Sequence, residues 1–428
     1  MIKTITAALK AAGIREFLIT TTTEKSAELF FIKKTLDMKR AKEVTKYDVT
    51  VYVDFRKNDR DCKGRSSVSI FPGMSAEEVE KAITTAKLAA SYVANPTYEL
   101  PGPTDNKFIE MPSDMLGHTL EEDCRIMSEA LFAEDTAEDV FLNSAELFVY
   151  DNTVRLLSSN GIDAGYRKCS ISGEFVAQCK TPLDVETYKD FSYDCLDTEA
   201  LKDRVRRTLE YTRARAQAKQ APATGSYRLI LSDDYVATLF NFYREKADAS
   251  YLYAGYSNYE TGRDVQQSEG HENVSGDRLT VDLIADVPYG AEGIRMKDRS
   301  FMEKGILKTI TGNARFASYL NIEPTGQYSK IKVECGSTSV EEMKRKPYLE
   351  VVNFSDFQMD AFTGHFGGEI RLAFLCDGEQ VIPVTGGSVN GSWLDVQGAL
   401  TLSSDRQSGM YFDGPAAICI ENIPVAGT

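Results

Sequence analysis

The run Val49-Thr50-Val51-Tyr52-Val53-Asp54-Phe55 alternates with period two, which suits a strand with one buried face. Residues 17–22, 27–34 and 66–71 predict further strands behind a short amphipathic helix at the N-terminus. Ser75-Ala76-Glu77-Glu78 is a capping box. It opens a helix with Val79, Ala82, Ile83, Ala86 and Ala90 on one face, ending near Val93. Thr119-Leu120-Glu121-Glu122 repeats the signature before a second helix reaching about Phe132. The loop between them carries Pro96, Pro101, Pro103 and Pro112 and is too proline-rich to be regular. Strands at 146–150, 154–158 and 166–178 follow, with Ser159-Asn160-Gly161 as a tight turn.

A helix over 198–218 then runs into Gln220-Ala221-Pro222-Ala223-Thr224-Gly225, a small-residue stretch that predicts a domain boundary. Beyond it the chain reads as β-rich, apart from a helix over 233–246 and a short one over 313–320. Near the C-terminus glycines cut short apolar segments at regular places. Gly364, Gly367 and Gly368 precede a strand over 369–375, and Asp377-Gly378 marks a hairpin turn. Residues 380–385 return as its partner, and Gly386-Gly387 breaks the chain again. The expected class is α+β in two domains: an N-terminal α/β-sheet domain over 1–220 and a β-rich C-terminal domain over 225–428.

Composition adds bounds to this picture. A chain of 428 residues suits two domains, and 42% hydrophobic with 26% charged residues is that of a soluble globular protein. No apolar run approaches the ~20 residues of a membrane span. The N-terminal lysines and arginine interrupt any signal-peptide core, so a cytoplasmic location is expected, with no membrane partner. Eight cysteines without a C-x-x-C pair read as reduced thiols. A net charge of −15 opposes sequence-independent nucleic-acid binding. The basic run from Lys202 to Lys219 reads as a solvated helix face.

Three glycine-bearing segments stand in order near the C-terminus: Gly364 to Ala373, Pro383 to Gly391, and Gly414-Pro415 through Val425-Ala426-Gly427-Thr428. Together they resemble the terminal region of the TldD/PmbA family, also labelled candidate modulators of DNA gyrase. The turn at Ser159-Asn160-Gly161 is similar to one in that family's N-terminal half. The family contains metallopeptidases as well as partner subunits without metal. In the catalytic members, the first helix of the C-terminal domain carries H-E-x-x-x-H. Its histidines bind Zn²⁺, its glutamate is the general base, and a cysteine near the C-terminus completes the ligand set. Such a zinc needs three protein ligands, one open position and a carboxylate in reach of its water.

This chain departs from that set. Its histidines are His118, His271 and His365, each more than ninety residues from the next, so no helix can offer two imidazoles. Aligning Tyr227 to Ser232 with the family's strand puts the motif on Asn241-Phe242-Tyr243-Arg244-Glu245-Lys246. The ligand positions become Asn241 and Lys246, and the base position becomes Phe242. Lysine adds positive charge beside a dication, and phenylalanine takes no proton. The C-terminal cysteine would fall between Thr401 and Asp405, where none exists, and Cys419 in the run AAICI reads as core. No catalytic or metal-binding residue of this chain is therefore expected.

His271-Glu272 continues as Asn-Val-Ser-Gly, with no second histidine, and reads as a surface loop. His365 reads as a turn residue or a cleft-lining one. Segments 291–295 and 303–307 are similar to family stretches near the cleft, so Arg295 or Arg299 is a candidate to hold a peptide carboxylate, with a solvated loop as the alternative. Lys304-Gly305 is expected at a turn tip.

The resemblance implies a cytoplasmic peptidase system acting on extended peptides. Within it this chain is expected to be the PmbA/TldE-like subunit without metal, paired with itself or with a zinc-bearing TldD-like subunit. Zinc is expected only in that partner. Two alternatives stay open: a metallopeptidase in its own right with an atypical site, and a non-enzymatic modulator of gyrase or of a toxin–antitoxin pair.

Overall fold

A computed structural model describes residues 1–267 and 274–427. The chain opens with helix α1 (Ile2–Ala11) and strands β1 (Glu16–Ile32), β2 (Thr35–Lys57) and β3 (Arg60–Ile70). Helix α2 (Ala76–Ser91), short strands β4 (Asn95–Pro96) and β5 (Phe108–Glu110), and helix α3 (Leu120–Ala133) follow. Strands β6 (Val140–Ser158), β7 (Asp163–Cys179) and β8 (Val185–Tyr193) lead into helix α4 (Thr198–Gln217). All eight strands join one sheet, ordered β4-β3-β2-β1-β6-β7-β5, with β8 also on β7.

Tight turns set the register of this sheet. Asn58 and Asp59 both take positive φ between β2 and β3, a turn whose twist matches that of its strands. Gly161 does the same between β6 and β7, where Ser158 Oγ accepts from the Asn160 and Ile162 N–H groups. Segments 17–22 and 27–34 are a single strand rather than two. The polar residues between them hold no turn former, and Thr23 is paired on both sides, with Thr45 and Thr153. Segments 146–150 and 154–158 merge within β6 although Asp151-Asn152 can form a turn, because these residues pair with β1 on one side and β7 on the other. Strand β8 has little sequence signal because its residues mix charge and aromatic character at an edge.

Both predicted capping boxes form, at Ser75 and at Thr119. Helices α3 and α4 cover one end of the sheet through Met127, Leu131, Leu201 and Val205 against Leu147, Ile171 and Phe175. Helices α1 and α2 cover the other end through Ile5, Leu9 and Ile83 against Ile19 and Val49. Each such side chain contributes about 1.5–3 kcal/mol by leaving water.

The remaining strands come from the second half. In order they are β9 (Gly225–Ser232), β10 (Val281–Ile284), β11 (Arg299–Glu303), β12 (Ile306–Leu307) and β13 (Lys330–Val333). Then follow β14 (Tyr348–Met359), β15 (His365–Cys376), β16 (Val381–Val384) and β17 (Ser388–Ser392). The last are β18 (Thr401–Leu402), β19 (Arg406–Ser408), β20 (Phe412–Pro415) and β21 (Ala417–Ala426). Helix α5 (Asp234–Lys246) and the short α6 (Ala249–Tyr253), α7 (Ala314–Leu320), α8 (Val340–Met343) and α9 (Trp393–Val396) lie between them. Of these, α6, α8 and α9 add to the two helices expected.

One sheet runs β12-β11-β10-β13-β20-β19, and the other β14-β9-β21-β17-β15-β16 with β18 on β21. The turns at Lys304-Gly305 and Asp377-Gly378 stand where the sequence places them. Trp393 anchors the core edge-to-face between Tyr243 and Phe366, each ring 6.1 Å away. Among the described residues, no helix is long and apolar enough to cross a membrane.

Candidate functional site

A cleft of about 1280 Å³ lies where β8 and α4 face α5 and the loops around β13 and β19. Two sheet edges border it, since β8 pairs only with β7 and β19 only with β20 among the described residues. Helix α5 is built to form one wall. Its Val236, Leu239, Phe240, Phe242 and Tyr243 are buried, and Tyr243 donates its hydroxyl to Gln397 Oε1 at 2.7 Å. The opposite stripe, Thr238, Asn241, Arg244, Glu245 and then Asp248, recurs at helical spacing and lines the cleft.

The helix starts under constraint. Asp233 takes φ 55 and ψ −136, a conformation that costs a non-glycine residue of order 1–3 kcal/mol. Arg207 holds its carboxylate at 2.6 Å, and Gln407 donates to its carbonyl at 3.1 Å, so both neighbours hold it in place. Asp234 beside it receives Arg204 at 2.7 Å and Lys189 at 3.2 Å. Burial pushes the Asp234 carboxyl up, but Arg204 and Lys189 outweigh it and hold it below the usual value. Charges from β8, α4 and α5 thus meet at one point and tie the two halves together.

This corrects the reading of the basic run. Arg204 and Arg207 are turned into the cleft rather than into solvent, while Arg206 and Arg213 remain outside, paired with Asp203 and Asp139. The apolar stripe of α4 sets this: with Leu201, Val205 and Leu209 buried, residues 200, 203, 204, 207 and 211 fall on the cleft side. Burial pushes the Tyr193 phenol up to about 12 on the same wall.

The aligned motif positions separate in space. Asn241 faces the cleft, Phe242 is fully buried, and Lys246 leaves on another side to donate to the Tyr256 and Phe362 carbonyls at 3.0 and 3.2 Å. An amide, a buried phenyl ring and an ammonium occupied by carbonyls do not fit a zinc ion. Among the described residues, no group of three histidine, cysteine or acidic side chains could hold a metal. Thr401 pairs in register with Cys419, whose thiol is pushed up to about 11 by burial, in keeping with a core role.

The candidate cleft arginines sit elsewhere. Arg295 lies over the Tyr289 ring and donates to the Pro288 carbonyl, near Asp105. Arg299 pairs with Glu323 at 2.9 Å and reaches the hydroxyl of Tyr328, a residue that does belong to the cleft lining. His365 is the exposed first residue of β15, just past the turn at Gly364, and is not on the cleft wall. His118 bonds Asp123 at 2.9 Å at the start of α3. His271-Glu272 falls outside the described residues.

Residues 224–427 match the family described as the PmbA/TldA metallopeptidase C-terminal domain. The C-terminal half of the chain is therefore a TldD/PmbA-family domain. Its fold matches TldE from Thermococcus kodakarensis with a TM-score of 0.77 at 14% identity, covering 99% of this chain and 100% of that one. It also matches a candidate modulator of a DNA gyrase from Thermotoga maritima, with a TM-score of 0.74, 13% identity and 99% of both chains covered. A candidate modulator of DNA gyrase from Bacteroides thetaiotaomicron gives 0.73 at 17% identity, covering 100% of this chain and 99% of that one. At such identities the likeness is one of fold. No curated protein matches the sequence.

Within this family scaffold, the residues that shape the cleft are Arg204, Arg207, Asp233, Asp234 and Arg244. Sequence reasoning passed over all five. A usable signal existed: charged and polar residues at helical spacing on one flank of both 198–217 and 234–246, opposite clear apolar stripes.

Proposed function

We propose that this chain is the metal-free, PmbA/TldE-like subunit of a cytoplasmic peptidase system. Residues 1–220 and 225–428 are its two domains, and the cleft between them receives an extended peptide. The chain pairs with a zinc-bearing TldD-like subunit or with a second copy, and hydrolysis belongs to the metal-bearing partner. The single observation that carries this reading is the fate of the aligned motif. The fold is that of the family, yet Phe242 sits in the core where the aligned motif would put a general base, and Lys246 is spent on backbone carbonyls.

The open edges of β8 and β19 support the substrate class. An edge strand offers main-chain donors and acceptors to an added strand, with little demand on its sequence. In this reading the chain binds, orients and encloses peptide. Nucleic acid and membrane are not partners, in line with the acidic balance.

The test is co-expression with a family member carrying H-E-x-x-x-H, followed by gel filtration, metal analysis and digestion of an unfolded protein. A stable complex that cleaves, with zinc in the other subunit and none in the isolated chain, is expected. Stoichiometric zinc in the isolated chain, with chelator-sensitive cleavage, would favour a peptidase acting alone. Salt-sensitive DNA binding would favour a modulator.

A further inference from the structure

The cations around the cleft are mostly neutralised from within. Arg204 has Asp234, Arg207 has Asp233, and Arg406 has Asp413, while Lys344 has Glu350 at 2.7 Å. Arg244 differs. Its Nη1 donates to the carbonyls of Tyr328 and Ser329, at 3.2 and 3.0 Å, and among the described residues no carboxylate forms an ion pair with it. The adjacent Glu245 accepts the Tyr251 hydroxyl instead, and Asp248 caps α6 through the Ser250 N–H. Two carbonyls orient the guanidinium but supply no counter-charge, and burial pulls Arg244 below the usual arginine range. Among the described residues, its Nε and Nη2 donors have no hydrogen-bond partner. One turn earlier on the same stripe, the Asn241 side chain lines the cleft with no hydrogen bond among the described residues.

We infer that Arg244 and Asn241 form a subsite for a single carboxylate of a bound peptide. A guanidinium with one face anchored has the planar fork that matches a carboxylate, and the Asn241 amide adds a donor beside it. Carboxylate is favoured over phosphate because Asp190, Asp203, Glu245 and Asp248 share the cleft and oppose a doubly charged group. The carboxylate is either the peptide's C-terminus or an aspartate or glutamate side chain. This inference rests on the reading that the cleft holds peptide.

The experiment uses the full chain and a fluorescein-labelled, unstructured twelve-residue peptide with neutral side chains, read by anisotropy. Three forms are compared: the free C-terminal acid, the C-terminal amide, and the amide with one glutamate near its end. At least one charged form should bind roughly ten- to a hundredfold more tightly than the neutral amide. Which one does so identifies the source of the carboxylate. Arg244→Gln should remove that preference, so that the three forms bind it alike. If Arg244→Gln does not fold, Asn241→Ala reads the same preference without deleting a bond, and should reduce it several-fold. Equal binding of all three forms to the wild type overturns the subsite and leaves the peptide cleft standing. A preference that survives both substitutions also overturns it. Failure of every form to bind overturns the peptide reading and the subsite with it.

Discussion

The eight-stranded sheet and the second half of the chain are both β-rich, yet they are assembled differently. In the first, spatial order largely follows chain order, and the tight turns at 58–59 and 159–161 align long strands residue by residue. In the second, Leu229 pairs with Leu349 on one side and with Ile420 on the other. Central strand β9 is therefore completed only when distant segments arrive. Local alternation and turn chemistry suffice to position a hairpin, whereas a strand between two remote partners depends on the whole core closing. The cleft lies between the two constructions, and its charges come from both.

The largest expected effect compares the two cores. Phe366→Ala should cost about 3–5 kcal/mol, since the ring is fully buried against Trp393 and Phe357. Phe175→Ala should cost about as much in the first sheet. Calorimetry of both variants decides how the halves unfold. Because charges bridge the cleft, a single transition lowered by either substitution is expected, and two independently shifted transitions would contradict it.

Gly367→Ala is next. A Cβ there would lie 2.2 Å from the Val389 carbonyl oxygen, whereas one at Gly73 meets nothing within 4 Å. Denaturant midpoints should show a loss of about 1–3 kcal/mol at Gly367. At Gly73 they should show less than about 0.5 kcal/mol. Equal effects would mean that strand spacing in the second half is less constrained than described.

Asp234→Ala tests the link itself. Its carboxylate is half exposed, so the loss should be modest, about 1 kcal/mol, and smaller in high salt. A salt-independent loss would point to packing rather than charge.

The smallest effect at neutral pH concerns buried thiols. Burial pushes Cys124 up to about 12 and Cys419 up to about 11, against an ordinary 9.0. The stability this contributes is complete below pH 9, where both states hold the proton. It is lost as pH rises through 9 toward 11–12, because the unfolded chain ionises first. Denaturant midpoints should fall between pH 9 and 11, and Cys419→Ala should fall less steeply. An unchanged slope in that variant would remove Cys419 from the account.

Much of the fold was legible in residue patterns. The capping boxes at Ser75 and Thr119, the turns at Gly161, Lys304-Gly305 and Asp377-Gly378, and the main helices all rest on interactions within a few residues. The division of β1 into two strands failed because a polar stretch can be strand when neighbours pair on both sides. The site was harder to read. An arginine looks the same in sequence whether it faces solvent, as Arg206 does, or a carboxylate across a cleft, as Arg204 does.

The order of residues alone determined that two imidazoles cannot share a helix here, and it carried the glycine signature that marks the family, because both depend only on identity and spacing. Tertiary structure alone decided which cleft cations are already neutralised and that, among the described residues, Arg244 meets no carboxylate. Charge pairing depends on distances between segments that no local spacing encodes.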